Sequence, residues 1–430
     1  MDRRNDQGER VMLDRRAFLK SGGVALLTVG AGPAFLQRAA AAVREPGSHE
    51  KRKVLVTIFQ RGAMDALAAV PPLGGRNGAH LKALRPRLHM AAGGDGVRDL
   101  GVGFGLHPAF DPLLPLWQDG RLGIVHGTGS PHTTRSHFDA QDYMESGTPG
   151  RKGTPDGWLN RVVGKLGHDA TPFRAVSLTP ALPRSFYGDA GALAVTNLRD
   201  FKVDLPGAGK AAAAGEGFEA LYDQTAQDLL RDTAADTFEA VDMLKKLDVR
   251  SYRPAPGADY PRSPLGAALQ QIAFLVKSDV GLEVAFAESG GWDTHVQQGT
   301  RTGAFARQGR DLAQAIAAFW HDLGNDRDHV TVMTMTEFGR TAAENGTGGT
   351  DHGHGSCLFV LGDGVDGGKV HGTFPGLDPD QLYEGRDLGI TTDFRSVFSE
   401  VAGKTFGLPS SGDAGLFPGW SGDRISLFKG

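Results

Sequence analysis

Short apolar runs alternate with longer amphipathic segments along most of the chain. The short runs are nearly uniformly apolar, which predicts strands that are buried on both faces. The predicted strands are Val54–Phe59, Leu122–His126, Arg174–Leu178, Leu282–Ala287, Val330–Met335 and Cys357–Leu361. The predicted helices are Pro108–Gln118, His137–Met144, Phe218–Leu247, Pro264–Ser278, Thr302–Leu323 and Phe394–Phe406. This alternation indicates an α/β fold of three layers, with helices on both sides of a mainly parallel central sheet.

Two stretches interrupt the alternation and are rich in glycine, proline and alanine. They cover Pro71–Gly105 and Ala181–Gly217. We interpret them as insertions or covering loops of a single α/β domain over residues 43–430, rather than as linkers between domains. Glycine makes up 62 of the 430 residues without a collagen-like period, so its excess indicates many loops.

The first 42 residues have the features of an export signal. The segment Asp14–Lys20, DRRAFLK, resembles the twin-arginine export consensus and departs from it only at its first position. A mildly apolar stretch, Ser21–Leu36, follows, and Arg38 with Ala39–Ala42 resembles the region before a cleavage site. The apolar stretch is short and glycine-rich, so we expect no stable membrane anchor. The segment predicts export by the twin-arginine translocase and a periplasmic or extracellular location.

Charge and cysteine content exclude several classes of site. The chain has 46 basic and 50 acidic residues, for a net charge of −4, which argues against a nucleic-acid binder that neutralises phosphates. The single cysteine, Cys357, excludes an intramolecular disulfide framework and any metal site with two or more thiolates. We expect Cys357 to be a buried core thiol, because it lies in a predicted strand. A metal site made of histidine and carboxylate remains possible.

Polar residues of that kind follow several predicted strands. In an open parallel sheet, the loops after the carboxyl ends of the strands meet at one edge, where ligands bind. Carboxylate and imidazole together suit a divalent transition metal. The candidate metal ligands are Asp65, Asp293, His295, Glu337, Asp351, His352 and His354. Two of them, Asp293 and His295, are also what an ordinary solvated loop contains.

The other candidates have structural explanations too. Asp65 is equally well explained as a helix cap, and Glu337 as one end of a salt bridge to Arg340. The segment Asp351–His354 gives the strongest signal, because three ligand-type residues fall within four positions and the adjacent glycines let the backbone approach an ion closely.

Ser136 and Arg135 are the candidate catalytic residues of the loop after the second strand, and Arg340 is a third. Ser136 precedes a predicted helix, where serine is a favoured N-cap. The same position offers free backbone N–H groups to an anion, and a nearby metal would make the hydroxyl a nucleophile. Both roles remain open. Arg135 and Arg340 are candidates for stabilising the charge of an oxyanion.

Six motifs along the chain resemble those of an exported family known as domain of unknown function 1501. The resemblance covers about residues 50 to 410, with the motifs in the same order. They are Arg61–Asp65 (RGAMD), Thr134–Gln141 (TRSHFDAQ), Gly290–His295 (GGWDTH), Thr336–Arg340 (TEFGR), Gly349–Gly353 (GTDHG) and Thr391–Arg395 (TTDFR).

That family is grouped with the alkaline phosphatase and sulfatase superfamily of metal-dependent hydrolases, so the resemblance implies an alkaline-phosphatase-like fold. It implies that Asp65 is the first metal ligand and Ser136 the nucleophile, with Thr133 and Thr134 as competitors. It also implies a ligand pair at Asp293 and His295.

The resemblance carries less clearly to the later motifs. The superfamily's aspartate–histidine pair is similar in position to Glu337 and Phe338, and a phenylalanine cannot bind a metal. Its final histidine is similar to His352, with Asp351 or His354 as a replacement for the missing ligand.

The sequence therefore predicts an exported hydrolase of phosphate or sulfate esters that uses a divalent Zn, Mn or Ca ion. Its partners would be a small-molecule anionic ester and, during export, the translocase. The alternative is a non-catalytic exported binding or assembly protein with a degenerate metal site. A sulfatase that depends on formylglycine is not expected, because the required Cys/Ser-x-Pro-x-Arg motif is absent.

Overall fold

A nine-stranded sheet organises the part of the chain that the computed structural model describes, which is residues 51–168, 170–200, 247 and 249–430. The described strands are β1 (Val54–Gln60), β2 (Arg98–Asp99), β3 (Gly105–Leu106), β4 (Leu122–Gly129), β5 (Ala175–Ser177), β6 (Leu193–Ala194), β7 (Val284–Ser289), β8 (Val330–Met335), β9 (Ser356–Leu361), β10 (Lys369–His371) and β11 (Thr392–Asp393). The main sheet has the order β10-β4-β9-β8-β1-β7-β5-β6, with β11 beside β4. Strands β2 and β3 form a separate antiparallel pair.

Neighbouring strands of the described sheet are parallel except at β9, which is antiparallel to both β4 and β8. The predicted mainly parallel sheet is therefore confirmed. Because β9 runs in the opposite direction, its first residue, Ser356, lies at the edge where β1, β7 and β8 end. The connection from β8 to β9 consequently stays at that carboxyl edge.

Helices cover both faces of the sheet. The described α-helices are α1 (Ala66–Ala69), α2 (Gly75–Leu84), α3 (Leu114–Gln118), α4 (His137–Ser146), α5 (Trp158–Lys165), α6 (Pro264–Lys277), α7 (Ala304–Leu323), α8 (Phe394–Phe406) and α9 (Asp413–Leu416). Short 3₁₀ helices occupy Pro108–Leu113, Arg184–Phe186, Leu198–Asp200, Gly324–His329 and Ser410–Gly412.

Alternation along β1 shows how the three layers are built. Val56 and Ile58 belong to one apolar core, which also contains the inward faces of α6 and α7. Leu55 and Phe59 belong to a second core, with α5 and α8. Since neighbouring side chains of a strand point to opposite faces, both faces of the sheet are buried. The predicted three-layer α/β arrangement is confirmed.

All six predicted strands are present, with boundaries that differ by at most three residues. The export segment, residues 201–217 of the stretch Ala181–Gly217, and the predicted helix Phe218–Leu247 except for its last position lie outside the described residues. Pro71–Gly105, predicted as an insertion, contains α2 and the β2–β3 pair. Strands β6, β10 and β11 were not predicted, because two or three residues are too few to show a period of two.

Local capping explains where two of the helices begin. The Ser263 hydroxyl accepts a hydrogen bond from the Gly266 N–H, and Pro264 follows at the first helical position of α6. The Asp393 carboxylate accepts from the Arg395 N–H at the start of α8. Within the described ranges, no helix is both long and apolar enough to cross a membrane.

Two histidines are buried in the core as neutral side chains. The Nε2 atom of His126 lies 3.1 Å from the Val70 carbonyl oxygen, and its Nδ1 atom accepts from the Gly127 N–H at 2.9 Å. His107 has the same arrangement, with Nε2 3.0 Å from the Thr300 carbonyl oxygen. A carbonyl can only accept and an N–H can only donate, so each ring is neutral. Burial lowers the pKa of both histidines to about 4.

These histidines predict a loss of stability in mild acid. The unfolded chain binds a proton near pH 6.5 that the folded chain does not bind until about pH 4, so the free energy of unfolding falls as the pH drops between these values. From pH 7 to pH 5 the loss should be about 2 kcal/mol for each histidine. In urea unfolding at both pH values, His126→Gln should reduce the loss by that amount.

His107→Gln is the second variant, and it should reduce the acid-dependent loss by a similar amount. A loss that is the same in the wild-type protein and in both variants would contradict the assignment.

Candidate functional site

Four chain segments meet at the carboxyl edge of the sheet. They follow β1 (residues 61–65), β4 (130–136) and β7 (290–303), and the fourth joins β8 to β9 (336–355). Hydrogen bonds tie them together: Arg340 Nε donates to the Ala63 carbonyl, and His352 Nδ1 donates to the Arg135 carbonyl. The expected meeting of these loops at one edge therefore occurs.

Three histidines and one aspartate converge there, and we call them the histidine–aspartate cluster: His137, Asp293, His295 and His352. The Nε2 atoms of His295 and His352 lie 3.1 and 3.2 Å from Asp293 Oδ1. His137 Nε2 lies 3.6 Å from Asp293 Oδ2. Ligand atoms of His137, Asp293 and His352 all lie within 4.8 Å of one another, close enough to hold one metal ion. His295 Nε2 is 2.9 Å from His352 Nε2, so it is adjacent to this group.

The other ring nitrogen of each histidine is held by an oxygen. His137 Nδ1 lies 2.8 Å from Glu337 Oε1, and His352 Nδ1 lies 2.9 Å from the Arg135 carbonyl oxygen. His295 Nδ1 lies 2.9 Å from Asp351 Oδ1. An oxygen acceptor keeps a proton on Nδ1, so the Nε2 atom of each ring, when the ring is neutral, has a lone pair for an ion at the centre of the cluster. Metal-binding histidines are typically oriented in this way.

Glu337 is completely buried and orients His137. Its Oε1 atom accepts hydrogen bonds from His137 Nδ1 at 2.8 Å, Gln141 Nε2 at 2.9 Å and the Gly62 N–H at 2.9 Å. Burial alone would raise the pKa of Glu337, but these hydrogen bonds outweigh it and lower the pKa. In turn, the hydrogen bond that His137 donates to Glu337 raises the pKa of His137.

Phe338 fixes the planes of two cluster histidines. Its ring is stacked on His137 with 4.9 Å between centroids, and it lies 5.0 Å from the His352 ring. Phe338 cannot bind a metal, but it forms an apolar wall against which both rings pack.

Arg340 is buried, and its guanidinium donates hydrogen bonds to acceptors of the protein. Its Nη2 donates to Asp293 Oδ1 at 2.5 Å and to the Trp292 carbonyl at 3.1 Å, and its Nη1 donates to the Thr350 carbonyl at 3.1 Å. Burial would raise the pKa of Asp293, but the hydrogen bond and charge of Arg340 outweigh it and lower the pKa. Arg340 therefore keeps Asp293 ionised and directed at the histidines. The salt bridge between Arg340 and Glu337 that the sequence allows is not formed; Arg340 pairs with Asp293 instead.

Asp65 is directed away from the cluster. Its carboxylate forms a buried ion pair with Arg85 at 2.7 Å and accepts from Gln298 Nε2 at 2.7 Å. It also caps α1 by accepting from the Ala68 N–H at 3.2 Å. These contacts match the capping explanation of Asp65, and both carboxylate oxygens are occupied.

Asp351 and His354 lie on either side of His352 but differ in their surroundings. Asp351 contacts His295, and its pKa is lowered by hydrogen bonds from Asn345 and His295. His354 instead stacks on Tyr383 with 4.3 Å between ring centroids, and it is not part of the cluster. Burial lowers the pKa of His354.

Ser136 and Arg135 connect the cluster to α4. Ser136 is exposed at the N-cap position, and its hydroxyl makes no capping hydrogen bond. The guanidinium of Arg135 pairs with Glu384 at 2.7 Å and with Asp387 at 2.6 Å. Its carbonyl holds His352, so the backbone on one side of Ser136 and the side chain of His137 on the other both belong to the site.

The sequence pattern does not single out His137 or Gln141. It predicts His137 only as the first residue of a helix, although the position of His137 after β4 is the signal that points to the site. Gln141 lies one helical turn further on, on the same face of α4. Both contact Glu337, which no local pattern reveals.

The fold and site together define an α/β protein with a candidate histidine–aspartate metal centre at the carboxyl edge of its sheet. A family model described as "Protein of unknown function (DUF1501)" matches residues 117–414. The chain therefore belongs to this family.

Solved structures with a similar chain path include sulfatase and phosphatase enzymes. A 2-O GAG sulfatase is 10% identical over 84% of this chain and 71% of its own, with a TM-score of 0.34. An alkaline phosphatase from the Antarctic bacterium TAB5 is 12% identical over 73% of this chain and 93% of its own, with a TM-score of 0.28. A mutant of TAB5 alkaline phosphatase with Mg bound is 12% identical over 74% and 93%, with a TM-score of 0.32. Similarity at this level assigns no activity. No curated protein matches the chain.

The contacts of Asp65 predict a structural role. Asp65→Asn leaves the buried Arg85 without its counter-charge, so we expect the free energy of unfolding to fall by about 3 kcal/mol. Metal content should stay at the wild-type level. Urea unfolding and elemental analysis measure the two effects.

Asp95→Asn is the matched control, because Asp95 pairs with Arg301 on the exposed surface. We expect its stability to change by less than about 0.5 kcal/mol. If Asp65→Asn lost the metal while keeping its stability, Asp65 would be a ligand.

Proposed function

We propose that the protein is an exported, metal-dependent hydrolase of phosphate or sulfate esters, and that the histidine–aspartate cluster holds its divalent ion. His137, Asp293 and His352 form the ligand set, with His295 as an adjacent donor. One observation carries the proposal: three imidazoles direct Nε2 at a single carboxylate while an oxygen holds each Nδ1.

The donor set fits a transition metal better than calcium. Imidazole nitrogen suits Zn²⁺ and a carboxylate suits Mn²⁺, whereas Ca²⁺ takes six to eight oxygen ligands. His137 Nε2 is buried and has no hydrogen-bond partner among the described residues, which is costly unless something binds there. We therefore favour Zn²⁺ or Mn²⁺ within the expected group of Zn, Mn and Ca.

A bound divalent ion would polarise an ester oxygen and lower the pKa of an adjacent hydroxyl or water. Ser136 is well situated to act with it. Its hydroxyl is exposed, and the N-terminus of α4 offers backbone N–H groups and a positive dipole end to an anionic ester. In the proposal, Ser136 attacks the ester or holds its oxyanion.

The remaining site residues act by positioning. Glu337 and Asp351 hold His137 and His295, and Arg340 holds Asp293. Arg135 acts through its carbonyl on His352. We leave Asp65 and His354 out of the ligand set, because their contacts are directed elsewhere.

The export assignment rests on the segment Asp14–Lys20, which resembles the twin-arginine consensus. It implies that the translocase is a transient partner and that the substrate is met in the periplasm or outside the cell. The similarity of the family to the alkaline phosphatase and sulfatase superfamily supports a small anionic ester as the substrate.

One observation favours the alternative, a non-catalytic exported binding or assembly protein. Arg340 is expected to stabilise an oxyanion, but its guanidinium donates its hydrogen bonds to protein acceptors. An arginine that holds loops together, rather than a substrate, suits a binding or assembly protein with a degenerate metal site. Activity measurements separate the two functions.

Metal content tests the ligand set. Wild-type protein purified without chelators should contain about one transition-metal ion per chain. His352→Gln should contain far less, since it loses an Nε2 donor. Elemental analysis by mass spectrometry measures both.

His354→Gln is the matched control for this experiment. It alters a histidine two residues away that stacks on Tyr383, and its metal content should equal that of the wild type. A wild-type content far below one ion per chain would contradict the proposed enzyme.

Activity tests Ser136. We expect Ser136→Ala to lower kcat by about 100-fold or more, because a nucleophile or oxyanion ligand is lost, while the metal stays bound. Chromogenic phosphate monoesters, phosphate diesters and sulfate esters, each with added Zn²⁺, Mn²⁺ or Ca²⁺, provide the assay. Thr133→Ala is the control for a neighbouring hydroxyl. Full turnover by Ser136→Ala would refute this role and leave the metal site intact.

A further inference from the structure

Three donors converge on a single oxygen of Glu337. They are His137 Nδ1 at 2.8 Å, Gln141 Nε2 at 2.9 Å and the Gly62 N–H at 2.9 Å. An ionised carboxylate can only accept, so all three partners must direct a hydrogen at it. When the His137 ring is neutral, its lone pair is therefore on Nε2, the atom that faces Asp293.

The orientation of the Gln141 amide is fixed by Arg61, which lies on the side opposite Glu337. Arg61 Nη1 donates to Gln141 Oε1 at 3.2 Å. A guanidinium can only donate, so the amide oxygen must face Arg61 and the NH₂ group must face Glu337. In the Arg61–Gln141–Glu337–His137 series, which we call the Arg61 relay, each hydrogen bond therefore has one possible direction, and those of Gln141 and His137 both end on Glu337.

Arg61 is itself firmly anchored. Its Nε and Nη2 donate to Glu288 Oε1 at 3.0 and 2.6 Å, and its Nη1 donates to Glu145 at 2.7 Å. Glu145 is buried and also accepts from the Ser185 N–H at 2.9 Å. The guanidinium lies 3.9 Å from the centre of the Phe59 ring. These contacts hold the donor of the relay in one place.

We propose that Gln141 and Arg61 are positioning residues for His137, acting through Glu337. The inference rests on the proposed function, because it treats His137 as a metal ligand. When the tautomer of a histidine ligand is already fixed, metal binding has a smaller free-energy cost. Loss of the outer partner that fixes it typically weakens metal affinity 10- to 100-fold. Neither residue touches the ion.

Metal affinity is the first test. Zn²⁺ affinity is measured by competition with a chromophoric chelator, on metal-stripped wild-type and Gln141→Leu protein. Leucine is close in size to glutamine but has no donor for Glu337, and we expect its affinity to fall 10- to 100-fold. Gln141→Met serves the same purpose if the leucine variant does not fold.

Asp142→Asn is the matched control. Asp142 is the next residue of α4 and pairs with Arg184 at 2.9 Å, outside the relay. Its Zn²⁺ affinity should equal that of the wild type. Gln141→Leu affinity within twofold of a wild type that does bind Zn²⁺ would overturn the relay and leave the proposed metal site standing.

The tautomer of His137 is the second readout and needs no metal. Long-range ¹H–¹⁵N spectra of the metal-free protein should show His137 protonated at Nδ1, with the assignment made by His137→Gln. Gln141→Leu should shift the ring toward a mixture of tautomers. A change of tautomer in a protein that binds no metal would support the relay and refute the proposed function. An unchanged tautomer would overturn the relay.

Discussion

One buried guanidinium holds the loops of the candidate site together. Arg340 donates hydrogen bonds to two other segments, through Gly62, Ala63, Trp292 and Asp293, and to Thr350 of its own segment. A buried charge without such partners costs several kcal/mol, so the arginine requires the loops as much as they require it. The approach is close: a Cβ at Gly62, whose φ is +114°, would lie 2.5 Å from the Asp293 nitrogen. Only glycine fits there, and the aspartate is fixed as a result.

The antiparallel direction of β9 brings residues 336–355 to the candidate site. If β9 were parallel to β8, the chain would have to cross to the opposite edge before entering it. Because β9 runs the other way, all of residues 336–355 stay at the carboxyl edge. Glu337 and His352 lie near the two ends of that segment. Glu337 therefore contacts His137 of the histidine–aspartate cluster, and His352 contacts its Asp293.

The strands were predictable because strands buried on both faces are nearly uniformly apolar, and that signal is local. The role of Asp65 was not, because an aspartate after a strand has the same sequence appearance whether it binds a metal or pairs with Arg85, 20 residues away. His352 and His354 illustrate the same limit. They are two positions apart in one loop, yet the backbone directs one at Asp293 and the other at Tyr383. His137 escaped notice because its partner, Glu337, is 200 residues distant.

The three imidazoles of the cluster are anchored separately: one by a buried glutamate, one by a main-chain carbonyl and one by an exposed aspartate. The anchors consequently differ in how easily substitution can alter them. No side-chain change removes the main-chain carbonyl, and the buried glutamate is costly to replace, whereas the exposed aspartate can vary at little cost to the fold. If the cluster holds the proposed ion, the affinity for that ion can change through the outermost histidine while the inner two preserve the centre.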